Sequence, residues 1–231
     1  MNIAEYAIRF IYPPRCFVCG SLMDFWSEDF ICGKCMKNIS YAENGQDYGY
    51  SLKNKFGINI YFDYGAAVFN YRYVKKSIER LKYNNETYLS KAAAEIMCDF
   101  SQKTGLLNNA DILVPVPISK KRMKERGYNQ AFILADGISK NLGISCIKDV
   151  LIRNIDTKPQ NLLGPYERIE NVKNAFSINN KYLKMIKNKN VVIIDDIFTT
   201  GATINECAMA LKENGAAKVG FFTLSAAGDK Y

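Results

Sequence analysis

The sequence predicts an α/β fold, a mostly parallel sheet flanked by helices, with a small N-terminal four-cysteine module. Three observations predict it. From Ile58 onward, apolar strand-like runs alternate with segments of helical period, an order that favours a parallel sheet covered on both faces. One run, "VVII" at residues 191–194, is apolar and β-branched throughout, as suits a strand buried on both sides. Four of the seven cysteines stand in two C-x-x-C pairs within the first part of the chain.

The elements follow in order. Residues 1–50 are expected to hold an N-terminal helix and the cysteine module, and residues 58–231 the α/β domain. The polar, Gly- and Asn-rich stretch "ENGQDYGYSLKNKFG" (43–57) joins them. In the first helix Ile3, Ala7, Phe10 and Ile11 share a face, and Pro13-Pro14 ends it. "INIYF" and "AAVFNY" read as strands. Val74, Ile78 and Leu81 recur at helical spacing over residues 72–83, and an Ala-rich helix follows at 86–103. "DILVPVP" is a short strand ending at prolines. A helix over 129–141 has Asn129 as its candidate cap and stops at Gly143. "ISCIKDVLI" is strand-like, "TINECAMALKENG" is a helix stopped by Gly215, and "KVGFFTL" is the last strand.

Composition limits the chemistry. The chain has 231 residues, 31 Lys and Arg against 23 Asp and Glu, and a net charge of +8. That surplus points to an anionic partner or to a solvated lysine-rich surface. Histidine is absent, so Ser-His-Asp and Cys-His catalysis and histidine-ligated metals are excluded. No apolar run reaches the roughly 20 residues of a membrane span. Glu5 and Arg9 interrupt the first apolar stretch as a signal peptide. A cytoplasmic location is expected, where paired cysteines are metal ligands or redox groups rather than disulfides.

The pairs are Cys16/Cys19 and Cys32/Cys35, with twelve residues between them. Two such knuckles can supply four thiolates to a tetrahedral structural Zn²⁺, and a module this small needs the metal to hold it together. The competing reading is a redox pair. Gly20 and Gly33 stand where knuckle turns often need a positive φ. Cys98, Cys146 and Cys207 fall in helix or strand patterns and read as apolar fillers.

"VVIIDDIFTTGAT" (191–203) carries the densest signal. Asp195 and Asp196 end the buried strand, at the end where parallel sheets bind ligands. Thr199, Thr200, Gly201, Ala202 and Thr203 then lead into a helix. Backbone N–H groups, hydroxyls and the positive helix end make a cradle for phosphate. Adjacent strand residues diverge, so one acid is expected to face a diol and the other a metal or a basic side chain. A Walker B strand would need a G-x-x-x-x-G-K-[ST] loop, and none is present. An acid that merely caps the strand–helix junction is the plainer alternative.

The run resembles the PRPP-binding motif of type I phosphoribosyltransferases. Further segments resemble the ComF-type competence protein family, a zinc ribbon followed by a phosphoribosyltransferase domain. They are "PVPISKKRMKERGYNQ", with Arg126-Gly127-Tyr128-Asn129-Gln130; "TKPQNLLGPYERIENVKNAF", with Thr157, Gln160, Arg168 and Asn171; "IERLKY", with Lys82; and the paired cysteines.

The resemblance implies a phosphoribosyl site in which Asp195 and Asp196 hold the ribose and residues 199–203 hold its 5′-phosphate. Arg122 and Arg126, in a loop after the "PVP" strand, would face pyrophosphate, with Lys82 and Arg168 nearby. Residues 159–176 take the place of a mobile loop that closes over the site. Mg²⁺ would come with PRPP. Two roles remain open. One is a phosphoribosyltransferase acting in DNA uptake. The other is a non-enzymatic protein that binds single-stranded DNA and other uptake proteins, with PRPP as ligand or regulator. In the second, Phe17, Phe25, Trp26 and Phe30 are candidates for stacking on bases.

Overall fold

Strand β6, residues Asn190–Phe198, forms the middle of the molecule, and its alternating side chains explain the layers on either side. In this computed structural model, residues 9–11, 13–38, 53–54, 56–83, 87–155 and 163–227 are described, the side chains of 82, 83, 87 and 88 excepted. Val191 and Ile193 enter one apolar core, while Val192 and Ile194 enter the other. A strand with cores on both faces has no polar side to show, hence the unbroken apolar run.

The elements run α1 (Gly33–Asn38), β1 (Tyr64–Asn70), α2 (Tyr71–Tyr83), α3 (Thr87–Thr104), β2 (Ile112–Pro115), α4 (Lys120–Arg126), α5 (Gln130–Leu142), β3 (Ser145–Cys146), β4 (Leu151–Arg153), α6 (Pro165–Val172), β5 (Phe176–Ile178), α7 (Leu183–Ile186), β6, α8 (Ala202–Glu213) and β7 (Lys218–Ala226). The main sheet has the order β1-β7-β6-β2-β3, with every pair parallel. β4 and β5 form a separate antiparallel pair. The predicted α/β class, with a parallel sheet between helices, is therefore the fold.

One face of the sheet packs on α8 through Ile204, Cys207, Ala208 and Leu211. The other packs on α2, α3 and α5 through Val74, Ile78, Met97, Leu134 and Ile138, and also on Cys16, Phe17 and Ile31 of the cysteine module. α3 and α5 approach closely at Gly137, where any Cβ would lie 2.5 Å from that of Ala94. Glycine is needed there for contact, not for its dihedral freedom.

Four expectations are corrected. "INIYF" is not a strand. The N–H of Tyr61 donates to Asn205 Oδ1 at 2.9 Å, and Asn205 Nδ2 donates to the Asn59 carbonyl at 2.9 Å, so a side chain on α8 takes the place of a ladder partner. "ISCIKDVLI" splits into β3 in the main sheet and β4 in the small one. The basic stretch after β2 is not a loop but α4, capped by the Ser119 hydroxyl at its start and closed by Gly127 at φ 77°. Gly33 opens α1 and lacks the positive φ that Gly20 has, at 73°. The N-terminal helix face at Ile3 and Ala7, and most of the 43–57 connection, lie outside the described residues.

The sheet order also fixes where a ligand can enter. β2 leads through α4 and α5 outward to its neighbour β3, while β6 leads through α8 to β7 on the opposite side. The two connections diverge, and a crevice is left above the carboxyl ends of β2 and β6.

Candidate functional site: an acid and arginine cavity beside a four-cysteine cluster

At the cluster, Cys16 and Cys19 sit on the first knuckle and Cys32 and Cys35 at the entry to α1. Their Sγ atoms all lie within 4.8 Å of one another, and those of Cys19 and Cys32 are 3.9 Å apart. Four thiolates around zinc at about 2.3 Å would stand about 3.8 Å apart, so the donor set fits a closed tetrahedral ion. The cluster could hold a zinc ion. Burial and the neighbouring thiols push the Cys35 thiol up, while the Ser21 hydroxyl, 3.0 Å away, draws Cys19 down to about 6. A central cation would favour the thiolate at all four. Of this module's described residues, only Pro14, Cys16, Phe17 and Ile31 bury apolar side chains, too little core for a fold of its own.

In the crevice above β2 and β6 lies a cavity of about 540 Å³. Asp195, Asp196, Thr199, Thr203, Arg122, Arg126 and Arg168 all line it. The two acids border the same space, contrary to the expectation that they diverge. β2 pairs with β6 only as far as Ile194, so beyond that residue the acids have open space on the β2 side. The Asp196 N–H donates to Asp195 Oδ1 at 2.8 Å, which orients the first carboxylate. Asp196 is 9% exposed.

The cradle follows. Thr200 Oγ1 accepts from the Ala202 N–H at 3.4 Å, and Gly201 caps α8 with φ 77°. Gly201 and Ala202 are buried, while Thr199 and Thr203 reach the cavity. The first-turn N–H groups of α8 thus end beside two carboxylates and two hydroxyls.

Opposite them, α4 presents its arginines. Lys120, Lys121 and Lys124 are exposed, whereas Arg122 and Arg126 are half-buried and turned inward. Burial and the adjacent Arg126 lower the Arg122 pKa, against the pull of Asp195, Asp196 and Glu125. Two guanidinium groups on one wall favour an anion between them. The Arg126-to-Gln130 segment fixes this wall. Arg126 Nη1 donates to Gln130 Oε1 at 3.1 Å, and Tyr128 donates to the Leu81 carbonyl at 2.6 Å. Asn129 is the α5 cap, accepting from the Ala131 N–H at 3.0 Å. Its amide also donates to the Val116 carbonyl at 2.9 Å.

Arg168 stands on α6, its Nε donating to the Leu163 carbonyl at 3.0 Å. Part of the expected closing loop is therefore helix, begun by Pro165 and held by Glu167, whose carboxylate accepts from the Gly164 N–H at 2.7 Å. Thr157 and Gln160 lie outside the described residues, as does the Lys82 side chain, whose backbone belongs to α2.

Sequence reading missed Tyr71, Glu79 and Arg153, which also line the cavity. Arg153 ends β4 with its guanidinium 5.4 Å from the Phe176 ring. Tyr71 and Glu79 lie on α2, the helix whose backbone includes Lys82, and its helical period was the available signal.

A helix start, paired acids and a basic wall at a parallel-sheet switch point give this chain a fold and a cavity like those of type I phosphoribosyltransferases. The phosphoribosyl transferase domain family matches residues 129–231. The chain is 26% identical to competence protein F of Haemophilus influenzae, over 93% of its own length and 85% of that protein's. It is 30% identical to the DNA utilization protein YhgH of Escherichia coli, over 62% of each chain. It is 31% identical to the competence protein ComFC of Bacillus subtilis, over 65% of this chain and 59% of that one. The chain thus covers less than two thirds of the latter two proteins. With its four-cysteine cluster, the chain resembles the ComF-type competence proteins. Among the described residues, no helix is long and apolar enough to cross a membrane.

Proposed function

We propose that the cavity binds PRPP with Mg²⁺ and that the chain is a phosphoribosyltransferase acting in DNA uptake. The observation that carries this reading is the meeting, in one cavity, of the α8 cradle, the two acids and the α4 arginines. Those three groups match the 5′-phosphate, the ribose diol and the pyrophosphate of one molecule. The names of the relatives point to the setting, competence and DNA utilization, and the paired cysteines suit a reducing cytoplasm.

In the reaction, the bond from ribose C1 to pyrophosphate oxygen breaks and its electron pair leaves with pyrophosphate. The acceptor supplies the new bond to C1 and loses its proton. Asp195 and Asp196 hold the ribose hydroxyls and balance the positive charge that grows on the ring. Thr199 to Thr203 anchor the phosphate. Arg122 and Arg126 hold the departing pyrophosphate where its charge develops. Mg²⁺ would be carried chiefly by PRPP oxygens and water, as that ion prefers. Zinc would be held by Cys16, Cys19, Cys32 and Cys35 in a structural role.

Titration with Mg²⁺-PRPP tests this reading. Wild type should bind, and Asp195→Asn with Asp196→Asn should lose at least about tenfold in affinity, or about 1.4 kcal/mol. Equal binding by both would refute the site. Pyrophosphate release across a panel of nucleobases and amines then tests transfer, and tight binding without turnover on any acceptor would count against it.

A second reading, single-stranded DNA binding, is favoured by Trp26, which is 63% exposed and edge-on to Phe25. Phe17 is excluded from that role because it is buried in the core at 1% exposure. Affinity for a single strand should fall steeply with salt. A flat dependence would exclude it.

A further inference from the structure

Helix α2 is shared between the cavity and the cysteine module, and the two sides meet in few residues. On one side, Tyr71 and Glu79 line the cavity, and the Leu81 carbonyl holds Tyr128 of the segment that carries Arg126. On the other side, Val74, Ile78 and Leu81 belong to the core that also takes in Cys16, Phe17 and Ile31, and Ser77 is buried as well. The Ser77 hydroxyl donates to the backbone carbonyl of Phe17. The Phe17 ring stacks on Phe69 at the end of β1, with centroids 6.2 Å apart and planes at 22°. Phe17 stands inside the first knuckle, between two of the four clustered thiols. Its own N–H donates to the Phe30 carbonyl at 2.7 Å, and the Cys32 N–H donates to Cys16 Sγ at 3.3 Å. Phe17 therefore links the clustered cysteines on either side of it in sequence to α2 and β1.

We infer that the four-cysteine module is part of the ligand site's machinery, with Phe17 and Ser77 as positioning residues that set the α2 wall. With the knuckle closed around a metal, the Phe17 carbonyl and ring are fixed and α2 is held against them. With the knuckle open, that contact slackens, and the slack reaches both Tyr71 and Glu79 and, through Leu81 and Tyr128, the arginine wall. A metal-poor module then lowers affinity at a cavity that contains none of the cysteines. Coupling between sites is reciprocal, so whatever factor metal contributes to ligand affinity, ligand contributes to metal retention. The ligand half of this inference rests on the PRPP reading, whereas the structural half does not.

Two measurements on the full chain separate those halves. The first is amide hydrogen exchange in zinc-loaded protein, in protein stripped by a chelator that is then removed, and in zinc-loaded Ser77→Ala. Stripping should speed exchange across residues 71–83 and 126–130 while β6 and β7 stay protected, and Ser77→Ala should reproduce part of that change with zinc retained. Unchanged exchange in α2 would overturn the inference. So would acceleration throughout β6 and β7, because the module would then hold the whole fold and not this wall. The second is the affinity of zinc-loaded and stripped protein for Mg²⁺-PRPP, expected to differ about 5-fold or more, within the usual range of coupling. Equal affinities would overturn the coupling. If PRPP fails to bind even zinc-loaded protein, the PRPP reading falls, and the exchange experiment alone decides the positioning role.

Discussion

The hydroxyl of Tyr128 meets the carbonyl oxygen of Leu81 at 2.6 Å, across 47 positions of sequence. This bond joins the turn between two cavity-lining segments to the last turn of α2. A helix end leaves carbonyls without helical partners, and a tertiary donor here satisfies one while fixing where the helix stops. Tyr128→Phe keeps the ring and removes the donor. The expected loss is about 0.5–1.5 kcal/mol, read from urea unfolding, with several-fold weaker ligand binding. Unchanged stability and binding would show that the ring alone positions the turn.

Asn129 uses both ends of its amide, so different substitutions should separate its roles. Asn129→Ala loses the cap and leaves the buried Val116 carbonyl without this donor, at a cost of about 2–3 kcal/mol. Asn129→Asp keeps a good capping oxygen but turns a second acceptor toward Val116. It should be clearly destabilised although Asp is a favoured cap. A thermal melt of Asn129→Asp matching wild type would mean that only the cap matters.

Gly201 starts α8 with φ 77°, a conformation that costs other residues about 1–2 kcal/mol. Gly201→Ala should lose about that much in denaturant unfolding. If stability is unchanged, the turn has relaxed to negative φ.

Asp111 ties the start of β2 to the start of β6. Its carboxylate accepts from the Asn190 N–H at 2.8 Å and from Lys189 Nζ at 3.2 Å, and the Asn190 N–H foremost holds its pKa below the ordinary value. For an acid depressed in the folded state, the stabilisation is complete above the unfolded pKa and is lost as pH falls through the folded one. The melting-temperature gap between wild type and Asp111→Asn should be full at neutral pH and shrink below about pH 4. A gap that persists to pH 2 would show that charge is not its source.

Metal content tests the cluster directly. Purified protein should carry one zinc per chain, and Cys16→Ser or Cys32→Ser should lose it, while Cys98→Ser keeps it. Loss of zinc from Cys98→Ser would place the ligand set elsewhere.

The strands that make the floor of the site were legible because burial on both faces leaves a plain trace, an unbroken apolar run such as residues 191–194. The capped acid-to-helix turn was legible for a related reason, since few residue types suit a cradle. Other parts were hidden by tertiary substitution. "INIYF" alternates like a strand, yet Asn205, far along the chain, supplies its hydrogen bonds. The α4 helix had its signals, Ser119 before it and Gly127 after it, but the family resemblance placed a loop there. Arg153 carried no local signal at all. It reaches the cavity only because β4 leaves the main sheet to pair with β5.

Asp111 and Asn190 are 79 positions apart in sequence, though β2 and β6 lie side by side. The acids and the glycine turn into α8 belong to the β6–α8–β7 unit, whose elements are consecutive in the chain. The α4 arginines join them only when β2 closes its long loop onto β6, a pairing with high entropic cost. By this loop-closure cost the pocket is expected to be finished late in folding, and half-folded chains would then hold the α8 turn and the acids without the basic wall. A ligand that needs all three groups recognises only the finished molecule, and its binding free energy adds to the stability of that molecule alone.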